Sequence, residues 1–122
     1  MECIFCNIEQ ERIIIENEST YAIYDGFPVS KGHMLIIPKK HFSNYFEADQ
    51  QTKSELWKLI DECKDIVDKK FKPDGYNIGI NCGEVSGQTV MHLHIHLISR
   101  YKGDVNNPRG GVRGVIPNKR IY

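Results

Sequence analysis

Three histidines, His92, His94 and His96, alternate with apolar residues in the stretch 89–98. In an extended strand every second side chain points to the same face, so the three imidazoles would lie side by side. The opposite face would be apolar and buried, and it would consist of Met91, Leu93, Ile95 and Leu97. Imidazole titrates near neutral pH and serves as a nucleophile, an acid–base group or a metal ligand. Because lysine, glutamate or threonine would suit a merely solvated face, we interpret this row as a reactive site.

Cys3 and Cys6 form a C-x-x-C pair, a spacing typical of zinc half-sites and of redox pairs, and also found for two small buried residues. A structural zinc commonly takes two cysteines and two histidines as ligands. His41 and one histidine of the row would complete such a set, leaving His33 and the other two histidines for chemistry. In a second arrangement, two histidines of the row hold a catalytic zinc with an open position for water. The spacing leaves both arrangements open.

The histidine row needs a sheet to position it. Apolar, β-branched and aromatic runs predict strands at residues 13–15, 20–24, 33–38, 76–81 and, with the histidines, 89–98. Apolar residues at steps of three and four predict one long helix over residues 48–70, and residues 8–12 are predicted to form a short helical turn. With few β-α-β alternations, this order favours an α+β fold with a mostly antiparallel sheet. The long helix is expected to cover the sheet face opposite the histidines.

Composition limits the class of protein. The 122 residues suit a single domain, 1–122, and the sixteen basic and sixteen acidic residues cancel, so no overall charge favours nucleic acid or a membrane as a partner. No apolar run could span a membrane and the opening residues lack the form of a signal peptide, so we expect a cytoplasmic protein with reduced cysteines. Residues 103–122 form a basic, glycine-rich tail. We interpret it either as a solvated arm or as a contributor to anion binding or subunit contact.

Several blocks of sequence together identify a family. The histidine row follows Gly87-Gln88-Thr89-Val90, residues 32–41 form a second block, and Asn81 closes a third before a glycine-rich loop. The opening residues 3–6 and the tail residues 103–117 add two more blocks. Over nearly the whole chain these blocks resemble the histidine triad (HIT) family, and the tail is similar to that of a bacterial branch. The resemblance implies the HIT-like fold, with a five-stranded sheet, one long helix and a short N-terminal helix.

The resemblance also implies a reaction, namely nucleotidyl hydrolase or transferase chemistry at an α-phosphate with no catalytic metal. His94 would be the nucleophile and would form a nucleotidyl-histidine intermediate that water resolves. Its second ring nitrogen would donate to a backbone carbonyl, which leaves the attacking nitrogen unprotonated. Further residues would stabilise the developing charge or hydrogen-bond the phosphate chain, and these are His33, His96, Gln88 and Thr89.

Binding roles follow from the same resemblance. Ile4, Phe5 and Ile8 would line an apolar pocket for the base, Asp25 would bind the ribose hydroxyls, and Asn81 would position the phosphate or sugar. The implied structural zinc, one per chain, would be held by Cys3, Cys6, His41 and His92.

Within the family, Gln88-Thr89 is closer to the dinucleoside polyphosphate hydrolases acting on adenosine nucleotides. A nucleoside phosphoramidase and a purine-nucleotide-binding regulatory module with incidental turnover are the alternatives. The resemblance also implies a homodimer whose sheet continues across the two-fold axis, and we assign Tyr45, Trp57 and the tail to its interface.

Overall fold

A computed structural model describes residues 3–122, so the first two residues of the predicted domain lie outside the description. One sheet contains the strands β1 (Ile13–Glu16), β2 (Thr20–Tyr24), β3 (Met34–Pro38), β4 (Gly75–Ile80) and β5 (Ile95–Arg100). The strand order is β1-β2-β3-β5-β4, and every neighbouring pair is antiparallel. The long helix α1 (Gln50–Phe71) connects β3 to β4. The α+β class and the antiparallel sheet are therefore confirmed.

Helix α1 begins where a side chain caps it. Asp49 accepts a hydrogen bond from the backbone N–H of Thr52 at 2.8 Å, which satisfies one of the free donors of the first turn. This cap explains why the helix starts two residues after the predicted Ala48. At the other end Lys72 adopts a left-handed conformation with φ of 52°, and its N–H bonds back to the last turn.

The two faces of the sheet bury different clusters. The apolar stripe of α1, which includes Leu56, Leu59 and Cys63, packs against Leu93, Ile95 and Leu97 and against the same face of β2 and β3. The opposite face carries a smaller cluster in which Phe5 covers Tyr21, Ile23, Leu35 and Ile37. The rings of His92 and His94 lie 5.9 and 5.0 Å from that of Phe5, on this second face. The helix therefore covers the side away from the histidines, as predicted.

One predicted element is wrong in extent. The strand predicted over 89–98 begins only at Ile95, and Met91, predicted to be buried, is 41% exposed. Before Ile95 the backbone forms hydrogen bonds with loop residues instead of with a neighbouring strand. The Leu93 N–H donates to the Phe42 carbonyl at 2.8 Å, and Nε2 of Gln88 donates to the Val90 carbonyl at 3.1 Å. Alternation nevertheless continues through Leu93, so the apolar side chains still enter the core.

The tail is more ordered than its composition indicates. It contains two short 3-10 helices, Gly111–Val115 and Pro117–Lys119. Arg113 donates to the Lys119 carbonyl at 2.8 Å and Arg120 to the Asn107 carbonyl at 2.9 Å, so the basic side chains satisfy the tail's own backbone. Among residues 3–122, no helix combines the length and apolar character needed to cross a bilayer.

Candidate functional site

His94 immediately precedes β5, and its ring is held by a backbone group. Its Nδ1 lies 2.9 Å from the carbonyl oxygen of His92. A carbonyl oxygen only accepts hydrogen bonds, so Nδ1 carries the proton and the lone pair of the neutral ring is on Nε2. The residue lines an open cleft, and its ring lies 5.2 Å from that of His96. The hydrogen bond therefore selects the tautomer of the neutral ring in which Nε2 has the free lone pair.

His96 and His33 form a second histidine pair with defined proton positions. The Val29 N–H donates to Nδ1 of His33 at 3.1 Å, so the proton of neutral His33 is on Nε2. That Nε2 is 3.0 Å from Nδ1 of His96, which must therefore accept and keep its own proton on Nε2. Burial lowers the pKa of both rings, and that of His96 falls to about 4, aided by the neighbouring histidines. Both rings are consequently neutral at pH 7, and His96 is a hydrogen-bond donor.

Asp25 follows β2 and lies behind this pair. One carboxylate oxygen is 3.4 Å from Nε2 of His33, and the other accepts the Phe27 N–H at 2.9 Å. Asp25, His33 and His96 are close enough to surround a metal ion. However, Nδ1 of His33 already accepts a hydrogen bond, so its Nε2 bears a proton and is a poor ligand. The donor set suits proton positioning better than metal binding.

The side chain of Gln88 is buried, and both ends of its amide group form hydrogen bonds with backbone groups. Its Oε1 accepts the Gly83 N–H at 2.8 Å, and its Nε2 donates to the carbonyls of Ser43 at 2.8 Å and Val90 at 3.1 Å. It therefore ties the glycine-rich loop to the segment that leads to His94. A direct bond to a phosphate, as the resemblance implies, would require one of these bonds to break, and that role stays a prediction.

A cleft of about 560 Å³ gathers most of the predicted site residues. The predicted residues that line it are Ile4, Phe5, Ile8, Asp25, Asn81, Thr89, His94 and His96. His33 lies behind His96 and is 3% exposed, and Gln88 is enclosed by the loop. Gly87, from the glycine-rich loop noted in the sequence, lines the cleft as well. Sequence reasoning missed six further lining residues, which are Arg12, Ile23, Gly26, Phe27, Leu35 and Val90. For Arg12 a signal existed, since it follows Ile8 by four residues in a predicted helical turn.

A separate cluster of cysteine and histidine side chains joins the N-terminal segment to His92. The atoms Cys3 Sγ, Cys6 Sγ, His41 Nδ1 and His92 Nδ1 all lie within 4.8 Å of one another. The distances Cys3–His92 and Cys6–His41 are both 3.4 Å, and His41–His92 is 3.1 Å. Zinc bonds of about 2.0–2.3 Å place tetrahedral sulfur and nitrogen ligands about 3.3–3.8 Å apart. The two cysteine–histidine distances lie in this range, the histidine–histidine distance is slightly shorter, and two cysteines with two histidines are a common zinc ligand set.

The second ring nitrogen of His92 supports the same conclusion. Nε2 lies 2.8 Å from the Pro38 carbonyl and must donate to it, so the lone pair on Nδ1 points into the cluster. Burial lowers the pKa of His92, which favours the neutral form that a metal needs. The four residues predicted from the resemblance are thus brought together.

Known proteins resemble this chain over most of its length. A HIT-like protein from Methanocaldococcus jannaschii is 42% identical over 108 residues, which are 84% of this chain and 81% of the relative. A bis(5'-adenosyl)-triphosphatase from Dictyostelium discoideum is 33% identical over 82% of this chain and 67% of its own length. An adenosine 5'-monophosphoramidase from Schizosaccharomyces pombe is 34% identical, over 82% of this chain and 75% of the relative.

Solved structures agree with these relatives. A HIT family protein from Bacillus anthracis has a TM-score of 0.78 and 36% identity, covering 84% of this chain and 75% of that one. A zinc-bound histidine triad family protein from Mycobacterium smegmatis has a TM-score of 0.77 and 31% identity, covering 86% of this chain and 79% of that one. The family model for the HIT domain matches residues 8–103. With its row of three histidines beside an open cleft, the chain belongs to the HIT family.

Proposed function

We propose that this protein hydrolyses nucleotides at the α-phosphate, with dinucleoside polyphosphates or related adenosine nucleotides as substrates. One observation carries the proposal. The hydrogen bond from Nδ1 of His94 to the His92 carbonyl leaves Nε2 as an unprotonated nucleophile facing the cleft. In the first step Nε2 forms a bond to the α-phosphorus and the bond to the leaving group breaks. Water then attacks the phosphorus, the N–P bond breaks, and the mononucleotide and free His94 are regenerated.

The neighbouring residues take roles that follow from their positions. His96 donates from Nε2 to a phosphate oxygen as negative charge develops, and His33 fixes the proton position of His96. Asn81 and Thr89, which line the same cleft, hydrogen-bond the phosphate chain or sugar, and Asp25 accepts from the ribose hydroxyls. The base lies against the apolar end of the cleft, formed by Ile4, Phe5 and Ile8.

Two relatives indicate which bonds can be broken. The triphosphatase and the phosphoramidase are about equally similar to this chain, at 33% and 34% identity. Their names describe a phosphoanhydride and a phosphoramidate bond at an adenosine nucleotide. We rank the phosphoanhydride of a dinucleoside polyphosphate first, because of the Gln88-Thr89 pair. The phosphoramidate is the second candidate, and a nucleotide-binding module with incidental turnover is the third.

We also propose that Cys3, Cys6, His41 and His92 hold one structural zinc ion. The ligand separations and the zinc-bound relative support this assignment. When bound, the ion would tie the N-terminal segment to the histidine row and would take no part in the reaction. Both cysteines must be thiolates to bind it, a state that a reducing compartment such as the cytoplasm preserves.

A homodimer is proposed as the assembled form. Strand β4 is at the edge of the sheet, and its Ile78 is 41% exposed. An exposed edge strand can pair with the same strand of a second copy and extend the sheet. Trp57, 41% exposed on α1 and hydrogen-bonded to the Tyr45 hydroxyl, is proposed to lie at this interface with the tail. Light scattering coupled to gel filtration would measure the mass.

The test is a substrate panel with wild type and a His94→Ala variant. Diadenosine polyphosphates, an adenosine phosphoramidate and an adenylylated amine are each incubated with enzyme, before and after treatment with a chelator. We expect AMP release that survives chelation of a still-folded protein and is absent in the variant. Acid quenching with substrate labelled at the α-phosphate should trap label on residue 94. Release of AMP without such an adduct, or activity lost on chelation while the fold persists, would refute the mechanism.

A further inference from the structure

Arg12 is a cation on the wall of the apolar end of the cleft. It ends the short 3-10 helix Gln10–Arg12, directly before β1, whose Ile13 pairs with Ile23 of β2. The cleft at this end is lined by Ile8, Ile23 and Phe27. The guanidinium reaches across to the turn after β2, since a Cβ placed on Gly26 would lie 3.8 Å from its Nη2. The charged group therefore borders the space that the base of a bound nucleotide would occupy.

The guanidinium is available to a ligand. Arg12 is exposed, and among the ion pairs and side-chain hydrogen bonds of residues 3–122 its side chain has no partner. Asp25, on the same cleft, directs its carboxylate to His33 and to the Phe27 N–H instead. These contacts give no sign that the Arg12 side chain stabilises the fold of residues 3–122. Its position on the wall of the cleft leaves it free to contact a ligand.

The chemistry of a guanidinium defines which base edge it can recognise. Arginine is a pure donor with a planar fork, and it pairs best with two adjacent acceptors. Guanine and hypoxanthine present such a pair, O6 and N7, on one edge. Adenine presents N7 beside its 6-amino donor, which offers the fork one acceptor and one mismatched group. The guanidinium thus favours 6-oxopurines, such as guanine and hypoxanthine, over adenine, whereas the apolar wall alone would not distinguish these bases.

We propose that Arg12 recognises the base and extends the substrate range to guanosine and inosine nucleotides. The inference rests on the proposed function, because it requires a nucleotide base at the apolar end of the cleft. It adds a specificity residue that acts in binding and leaves the chemistry at His94 unchanged.

The test measures binding of AMP, IMP and GMP by calorimetry to wild type, Arg12→Ala, Arg12→Lys and a control, Lys58→Ala. The control removes one positive charge from the exposed face of α1, away from the cleft. In Arg12→Ala we expect affinity for IMP and GMP to fall roughly tenfold while affinity for AMP changes less than about twofold. Arg12→Lys keeps the charge without the fork and should restore little of the IMP affinity. Lys58→Ala should match wild type.

The outcomes separate this inference from the proposed function. If wild type binds nucleotides and releases AMP from the substrate panel, but Arg12→Ala weakens AMP and IMP equally, base recognition by Arg12 is refuted and the hydrolase remains. Full recovery by Arg12→Lys would refute the paired hydrogen bond, since charge alone would then suffice. If wild type binds none of the three nucleotides, the proposed function fails and this inference fails with it. Thermal melting of each variant confirms that the compared proteins are folded.

Discussion

The Nδ1 atom of His94 donates to the carbonyl oxygen of His92, and the side chain of His92 in turn faces the cysteine–histidine cluster. His94 makes this contact with its side chain, and His92 makes it with its backbone carbonyl. The proton position of His94 therefore depends on the path of the chain at residue 92, and the identity of that side chain affects it only indirectly. This relationship separates the expected effects of changing the nucleophile from those of changing the metal cluster.

Replacing His94 by alanine should abolish turnover and spare binding. The change removes Nε2, the atom that attacks phosphorus, while the apolar end of the cleft and Asn81 are left in place. We expect turnover of the best substrate to fall at least about 1,000-fold, with AMP affinity within roughly threefold of wild type. Steady-state kinetics and calorimetry on the same preparation measure both. A variant that retains a tenth of the activity would exclude His94 as the nucleophile.

Removing a cluster ligand should lower stability more than catalysis. In Cys6→Ser the bound zinc would be lost, and with it the tie between the N-terminal segment and residue 92, while the His92 carbonyl remains. We expect the Tm and the zinc content to fall and kcat at a temperature well below the Tm to change by less than about threefold. Cys82→Ser, outside the cluster, is the matched control. Equal zinc content in the two variants would contradict the ligand assignment.

The buried histidines should make stability depend on pH. The pKa of His96 in the folded protein is about 4, below its ordinary value of 6.5, so the unfolded chain binds a proton first as pH falls. The free energy of unfolding should therefore be highest above pH 6.5 and decrease towards pH 4, by about 3 kcal/mol from this residue. His33 and His92 shift in the same direction. Urea titrations at several pH values should show that the free energy of unfolding decreases less steeply with falling pH in His96→Asn than in wild type. An equally steep decrease in both proteins would contradict the lowered pKa of His96.

Substitution of Gln88 distinguishes a loop-holding role from direct contact with phosphate. Gln88→Ala leaves the Gly83 N–H and two carbonyls without their partner. We expect a loss of about 1–3 kcal/mol in the free energy of unfolding, together with a higher KM because the loop beside Thr89 is less ordered. Urea unfolding and kinetics are measured together. If stability is unchanged and kcat alone falls, Gln88 contacts the phosphate directly, as the family resemblance implies.

Gly32 positions His33 and should tolerate no side chain. Its φ is +89°, and an added Cβ would lie 2.9 Å from the Phe71 ring and 3.1 Å from Val67. Gly32→Ala is expected to destabilise the protein by about 2 kcal/mol or more, through both backbone strain and the clash with α1. Gly75→Ala is the control, since nothing lies within 4 Å of its added Cβ. Similar Tm values for the two variants would contradict this account.

The sequence predicted correctly the bounds of elements that depend mainly on the preferences of their own residues. Strand β2 has the predicted bounds, 20–24, because its β-branched and aromatic residues favour a strand without help from distant residues. The start of β5 could not be predicted, since it depends on a bond between Leu93 and Phe42, two residues far apart in sequence. For the same reason the enclosure of Gln88, whose side chain bonds to the distant Ser43 carbonyl, required the folded chain. Periodicity defines which face a side chain takes, and tertiary bonds decide where the strand begins.

The contact between Cys3 and His92 joins residues 89 positions apart in the chain. During synthesis Cys3 is made 89 residues before the histidine against which it docks. The part of the cleft provided by Ile4 and Phe5 can therefore dock only after the segments of β1 to β4 and α1 have been synthesised. A nascent chain released before residue 92 has emerged would lack β5, the strand that joins β3 to β4, and it would have neither a closed cleft nor a complete set of zinc ligands.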